Sequence, residues 1–153
     1  MATVRQVANF FLNMSEENTE WAVTHLKLQK LVYYAQAWFV ALYPNEEPLF
    51  NEQIEAWVHG PVCRELYNQH RAAGYRTLFL GEDEEVPVFE REEELRAVVA
   101  VWETYGNKDG KYLEALTHNE DPWLLARGDL RDYDHATNII PIEVMRDYYS
   151  QRL

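Results

Sequence analysis

The alternation of apolar and polar positions along the chain is dominated by helical spacing. Val4, Val7, Ala8, Phe11 and Leu12 recur at three- and four-residue intervals and predict a first helix. After a polar connection at Ser15–Glu20, Thr24 is a fitting N-cap for a helix over Leu26–Leu42. Leu28, Leu31, Val32, Ala35, Phe39 and Leu42 make one apolar stripe along it, and Pro44-Asn45 ends it. The period then changes. Pro48-Leu49-Phe50 and Ile54–Val58, separated by Asn51-Glu52-Gln53, are short runs that predict a small hairpin or two brief strands.

His59-Gly60-Pro61 reads as a stop followed by a start, with Gly60 free to take a positive φ and Pro61 suited to a first helical position. That helix is expected to run to about Ala73, placing Cys63 inside it, and to end at Gly74. Arg76–Leu80 is a candidate short strand, and Glu82–Glu94 an acidic connection. A helix over Glu92–Tyr105 carries three glutamates in its first turn, where the helix dipole favours them, and Leu95, Val98, Val99 and Trp102 as its expected core face. Asp109 can cap a helix through Leu116, Asp121-Pro122 opens one that ends at Gly128, and Pro141 opens the last, with Val144, Met145, Tyr148 and Tyr149. Six or seven helices and a small β-hairpin make a mainly α fold, expected as one domain over residues 1–153.

Composition narrows the function. At 153 residues the chain is one domain's length, and its 5 Trp, 10 Tyr and 6 Phe supply a core without staples. The lone Cys63 has no internal disulfide partner and reads as a small buried residue. Met1–Asn13 shows no signal-peptide pattern, and Leu31–Asn45 is too short to span a bilayer, so no membrane association and a cytoplasmic location are expected. Twenty-six acidic against 14 basic residues give a net charge of −12, which disfavours direct nucleic-acid binding and favours a basic protein partner.

Three stretches taken together carry a resemblance. They are Thr24-His25-Leu26-Lys27-Leu28-Gln29-Lys30-Leu31-Val32-Tyr33-Tyr34-Ala35-Gln36-Ala37-Trp38; Pro48-Leu49-Phe50 with Ile54-Glu55-Ala56-Trp57-Val58-His59-Gly60-Pro61-Val62; and Leu116-Thr117-His118-Asn119-Glu120-Asp121-Pro122-Trp123 with Ala126-Arg127. In this order they resemble the Panacea antitoxin domain family, with its SocA-like and GepA-like phage-associated members. The resemblance implies a helical fold with a small β element and an antitoxin of a type II toxin–antitoxin system. Its implied partner is a cognate protein toxin, neutralised by direct binding; the family pairs one domain type with unrelated toxins, so the toxin's identity stays open. The SocA-like alternative is an adaptor that delivers the toxin to a protease. Some members add a DNA-binding region, and no separate one is expected here.

The candidate partner-binding residues are Lys27, Lys30, Tyr34, Glu55, Trp57 and His59. Lys27, Lys30 and Tyr34 lie at i, i+3 and i+7 and share a helix face. They form either a basic–aromatic contact ridge or an internal clamp with a Lys–Glu55 ion pair, the clamp being favoured. Gln29 lies off that ridge, within reach of backbone near the hairpin. Trp57 and His59 are either an exposed anchor beside a helix N-terminus or ordinary core architecture with a capping His. Glu82-Asp83-Glu84-Glu85 is either a solvated loop or a screen for a basic toxin surface.

An enzyme from another class, a metal-dependent hydrolase, rests on His118, Glu120 and Asp121 with Asp132, Asp134 and His135. The sequence lacks His-Glu-x-x-His and paired-cysteine spacings, a usable Ser or Cys nucleophile and a glycine-rich phosphate loop. No catalytic residue, metal or cofactor is therefore expected, and the oligomeric state is left open.

Overall fold

The computed structural model describes residues 1–153. Seven helices and one two-stranded antiparallel hairpin surround a single hydrophobic cluster. Helix α1 spans Val4–Met14 and is closed by a capping box in which the Thr3 hydroxyl accepts from the Gln6 N–H and the Gln6 side chain accepts from the Thr3 N–H. Helix α2 spans His25–Leu42, with the Thr24 hydroxyl accepting from the Lys27 N–H. It is the axis of the molecule, packed by α1 and by the remaining helices α3 (Arg64–His70), α4 (Glu92–Tyr105), α5 (Gly110–His118) and α7 (Ile142–Ser150). Only α6 (Asp121–Arg127) stands one layer out, against α5 and α7.

Because neighbours cover α2 on nearly all sides, its expected single stripe is corrected. Lys27, Gln29, Lys30 and Gln36 are as buried as Leu28 and Phe39, while Leu42 at the end of the stripe is 42% exposed. A helix in that position must find partners for its polar side chains among the elements around it. Gln36 does so by donating to the Phe50 carbonyl at 2.7 Å and accepting from the Leu49 N–H at 2.9 Å. Pro48–Phe50 is thereby held as extended backbone by a side chain instead of a strand.

The hairpin therefore differs from the expected one. Strand β1 (Glu55–Trp57) pairs with β2 (Gly60–Val62), in the register Glu55↔Val62, Ala56↔Pro61, Trp57↔Gly60. Gly60-Pro61 belongs to β2, and α3 begins only at Arg64, leaving Cys63 buried at the N-cap position. Gly60 closes the two-residue turn at φ +102°, a conformation that costs an L side chain but not glycine. The segment Asn138–Ile140 runs along the other edge of β1, through Ala56 N–H to Asn138 C=O and Ile140 N–H to Ile54 C=O, both at 2.8 Å. Arg76–Leu80 contributes one bridge, Val23 with Leu78, and no strand.

Local end signals act as read at α4, at the Asp109 cap of α5, and at Gly74 and Gly128. The buried face of α4 is Glu94, Ala97, Val98, Val101 and Trp102, while Leu95 is 46% exposed, a rotation of the helix by about one position. Buried Glu94 accepts from the Ala2 N–H and pairs with Arg91, tying the N-terminus to α4. Glu84 of the acidic connection pairs with Arg5 and accepts from Asn9, so that loop is anchored on α1. No helix is long and apolar enough to cross a membrane.

A Cβ added at Gly60 would meet the Lys30 Cε at 2.7 Å, on top of the positive φ. Gly60→Ala is therefore expected to lower stability by about 2–4 kcal/mol in urea unfolding. A loss below about 1 kcal/mol would mean that the turn relaxes into a conformation ordinary residues tolerate.

Candidate partner-binding face

Backbone geometry places the hairpin tip on the surface, and side chains from four elements fix it there. The Glu55 carboxylate accepts from the Trp57 indole at 2.8 Å and from the Arg64 guanidinium at 2.8 and 3.2 Å. Burial pushes this carboxyl up, and the hydrogen bonds from Arg64 and Trp57 outweigh that and hold it below its ordinary value. Arg64 lies over the Trp57 ring at 5.4 Å, and Tyr67 meets the same ring edge-on at 4.8 Å. Trp57 is thus half-buried and clamped in one orientation, one ring able to contact a partner with little ordering to do.

From below, Trp123 donates its indole N–H to the Trp57 carbonyl at 2.8 Å, and Arg127 donates to the Ala56 carbonyl at 3.2 Å. Arg127 also binds the carbonyls of Arg131 and Asp134, both at 2.7 Å, and so folds the 131–134 loop beside the hairpin. His118 stacks on Trp123 at 4.0 Å. Asp121 lies in the first turn of α6 and is not its cap; Glu120 holds the cap position. The Glu120 side chain instead accepts from Tyr34 at 2.7 Å and Tyr149 at 2.8 Å, and burial raises its pKa. Asp134 pairs with Arg131, and no group of three or more His, Cys, Asp or Glu side chains converges as metal ligands do.

The six candidate residues separate into two sets. Lys27, Lys30 and Tyr34 are 1%, 0% and 0% exposed and offer the solvent no surface. Lys27 donates to the carbonyls of Glu20, Ala22 and Gly106 at 3.1, 3.0 and 2.5 Å. Lys30 donates to the Pro61 carbonyl at 3.2 Å, and Tyr34 stacks on Tyr105 at 4.2 Å. The expected Lys–Glu55 ion pair is absent because Arg64, in the first turn of α3, takes that carboxylate. Gln29, which lies off this ridge, pairs with Cys63 through both backbone groups, like a strand edge. Glu55, Trp57 and His59 form the second set, around the hairpin tip. The His59 side chain is 66% exposed, with Nδ1 3.2 Å from Glu114.

Two open cavities flank this tip. One, of about 370 Å³, lies on the α2 side and includes Lys30, Trp57, His59, Tyr67, Arg71 and Tyr75 in its lining. The other, of about 560 Å³, lies on the loop side and includes Trp57, His59, Arg64, Tyr67, Tyr133 and His135. Neither is lined by an Asp or Glu, although the sequence holds 26. Periodicity could not find Arg71, Tyr75 or Tyr133: Arg71 lies in a turn where the helix was expected to continue, Tyr75 and Tyr133 lie beyond helix ends, and only the tertiary fold brings them to the hairpin.

Burial takes the ammonium groups down from the ordinary 10.5, Lys30 to about 7 and Lys27 to about 8. The unfolded lysines keep their protons up to about 10.5, so between about pH 7 and 10 the unfolded state binds more protons and stability rises with pH. Above about pH 10 it falls, because burial holds Tyr33, Tyr34 and Tyr149 neutral in the native state alone. Urea midpoints at about pH 6, 8 and 9.5 should climb, and Lys30→Met should flatten the climb; a flat wild-type profile would show Lys30 to be hydrated. At neutral pH Lys30→Met should change stability by less than about 1 kcal/mol, since it removes a buried charge with no ion pair. Lys27→Met strands three carbonyls and should cost about 3 kcal/mol.

The sequence pattern of one protein family, described as Antitoxin SocA-like, Panacea domain, matches residues 28–124. Neither a curated protein nor a solved structure matches this sequence. The matched span runs from the first turn of α2 through the hairpin to Trp123, and so contains the hairpin face and most of its supports.

Proposed function

Since this chain belongs to the SocA-like antitoxin family with the Panacea domain, we propose that it neutralises a cognate protein toxin by direct binding through the hairpin face. Membership brings an antitoxin-type role and, with it, binding to a partner. The finer reading is a type II antitoxin that works by contact and not by bond chemistry. One observation supports it most: Trp57 is fixed between Arg64 and Tyr67, between two cavities whose linings hold no Asp or Glu.

The physical reason is preorganisation. Interface energy concentrates in a few rigid aromatic and arginine anchors set in concave surroundings, and Trp57 with Arg64 is such a pair. An interface of about 1,600 Å² centred there would suffice to cover a toxin's active site or to hold the toxin in an inactive arrangement. The buried Lys30 then acts from behind through the Pro61 carbonyl of β2, while Lys27 and Tyr34 fix the surroundings of α2. Three of the six residues of the hydrolase alternative have structural partners: His118 stacks on Trp123, Glu120 accepts from two tyrosines, and Asp134 pairs with Arg131.

The test is co-expression with the protein encoded beside this one. If that neighbour arrests growth alone, the wild-type protein should restore growth and co-elute with it while toxin level stays constant. Trp57→Ala, shown to be folded, should raise Kd by about tenfold or more and lose the rescue. Full rescue by Trp57→Ala would place the contact elsewhere. Loss of toxin in the presence of the wild-type protein would instead identify the protease-adaptor route.

A further inference from the structure

The two buried lysines of α2 are not equivalent. Both ammonium groups carry three N–H donors. Lys27 spends all three on carbonyls. Lys30 spends one, on Pro61, although it is fully buried. Two of its donors therefore lack a protein acceptor, in a place where an unmet donor is expensive. Lys30 lies in the floor of the cavity on the α2 side of the hairpin.

The same cavity holds a second unmatched cation. Arg71, in the turn Arg71–Ala73 that follows α3, makes no ion pair, and neither does Lys30. This is unexpected in a protein whose 26 carboxylates outnumber its 14 Lys and Arg residues. The third cation of the lining, Lys111, is already matched: Glu114 lies 3.4 Å from it and 3.2 Å from His59. His25, at the inner wall, shares a 3.0 Å hydrogen bond with Gln29, and burial takes its pKa down to about 4, so it adds no charge near neutrality. The cavity thus has the Arg71 charge on its rim, Lys30 protonated in about half the molecules near pH 7 on its floor, aromatic walls from Trp57, Tyr67 and Tyr75, and no Asp or Glu in its lining.

We propose that this cavity receives one carboxylate from the bound partner, held by Arg71 at the rim above the buried charge of Lys30, with its apolar stem against Trp57 and Tyr67. The assignment rests on the hairpin face being the partner-binding face and names the chemistry that the face selects. A monoanion fits better than a polyanion, because the rest of a protein of net charge −12 repels extended negative charge while one carboxylate answers two local cations. Arg71 can grip it with two parallel N–H groups. An acidic side group and the carboxyl terminus of a polypeptide both present this chemistry.

The isotope-labelled full-length protein would be titrated with four probes: N-acetyl-phenylalanine, N-acetyl-glutamic acid α-amide, N-acetyl-phenylalaninamide and inorganic phosphate. The Trp57 indole and the Gln29 and Gly74 signals report on the cavity. At least one carboxylate should shift them saturably and bind about tenfold or more tighter than the neutral amide. Whichever acid binds tighter identifies the source as a carboxyl terminus or an acidic side group. Arg71→Ala, on an exposed turn, and Lys30→Met should each weaken that acid about tenfold.

Equal binding of acid and amide, stronger binding of phosphate than of either acid, undiminished binding by both variants, or no shift at all would each overturn the assignment. If it falls while Trp57→Ala still separates from wild type in toxin binding, only the carboxylate is lost. If the acids bind and no toxin does, the neutralisation reading falls and the site stands.

Discussion

Buried polar side chains on α2 are matched to irregular backbone around it, and the rest of the structure depends on that match. Gln29 binds both backbone groups of Cys63, and Gln36 binds the N–H of Leu49 and the carbonyl of Phe50. Seven residues apart, the two glutamines project from one side of the helix and behave as short pieces of strand edge. Lys27 gathers three carbonyls from two separate loops. Loop backbone packed against a core must find such partners or lose about 1–3 kcal/mol per stranded group. In this fold a helix supplies them, and the loops and the hairpin are consequently held in one arrangement.

That arrangement explains how a protein of 153 residues presents a rigid recognition surface with only three residues in each strand. A two-stranded hairpin alone is marginal in water. Here its inner face is fixed by Lys30 and Gln29, its outer edge by Asn138–Ile140, its base by Trp123 and Arg127. Partner binding through a surface already ordered avoids the entropy of ordering it at the moment of contact. The family match, from α2 to Trp123, takes in the hairpin with Gln29, Lys30 and Trp123, and the cavities beside Trp57 are where recognition can be written on it.

Much of this was legible in the sequence, and the parts that were not share a cause. Helix α4 and the ends marked by Thr24, Asp109, Gly74 and Gly128 follow from local chemistry, and local chemistry is visible in a sequence read alone. The pairing of the hairpin was not legible, because Gly60-Pro61 satisfies the pattern of a helix start as well as that of a strand closing a tight turn. Leu95 and Val101 exchanged places because periodicity fixes a face only to within about one residue, and docking against α1 and α2 chose the rotation. The lysines of α2 read as a polar ridge since nothing in their spacing says that neighbours cover every side of that helix. The residues that the resemblance drew attention to are divided only by the tertiary fold, into Lys27, Lys30 and Tyr34, which are buried, and Glu55, Trp57 and His59, which lie around the hairpin tip.

The central claim is that the hairpin face meets the partner while the buried network behind it stays as it is in the free protein. Amide hydrogen exchange of the full-length protein, alone and in complex with its toxin, tests this most directly. New protection is predicted at residues 55–67 and 71–75, with the exchange of α7 and of the 82–88 loop unchanged. Protection confined to α7 or to that acidic loop, with residues 55–67 exchanging as in the free protein, would contradict it.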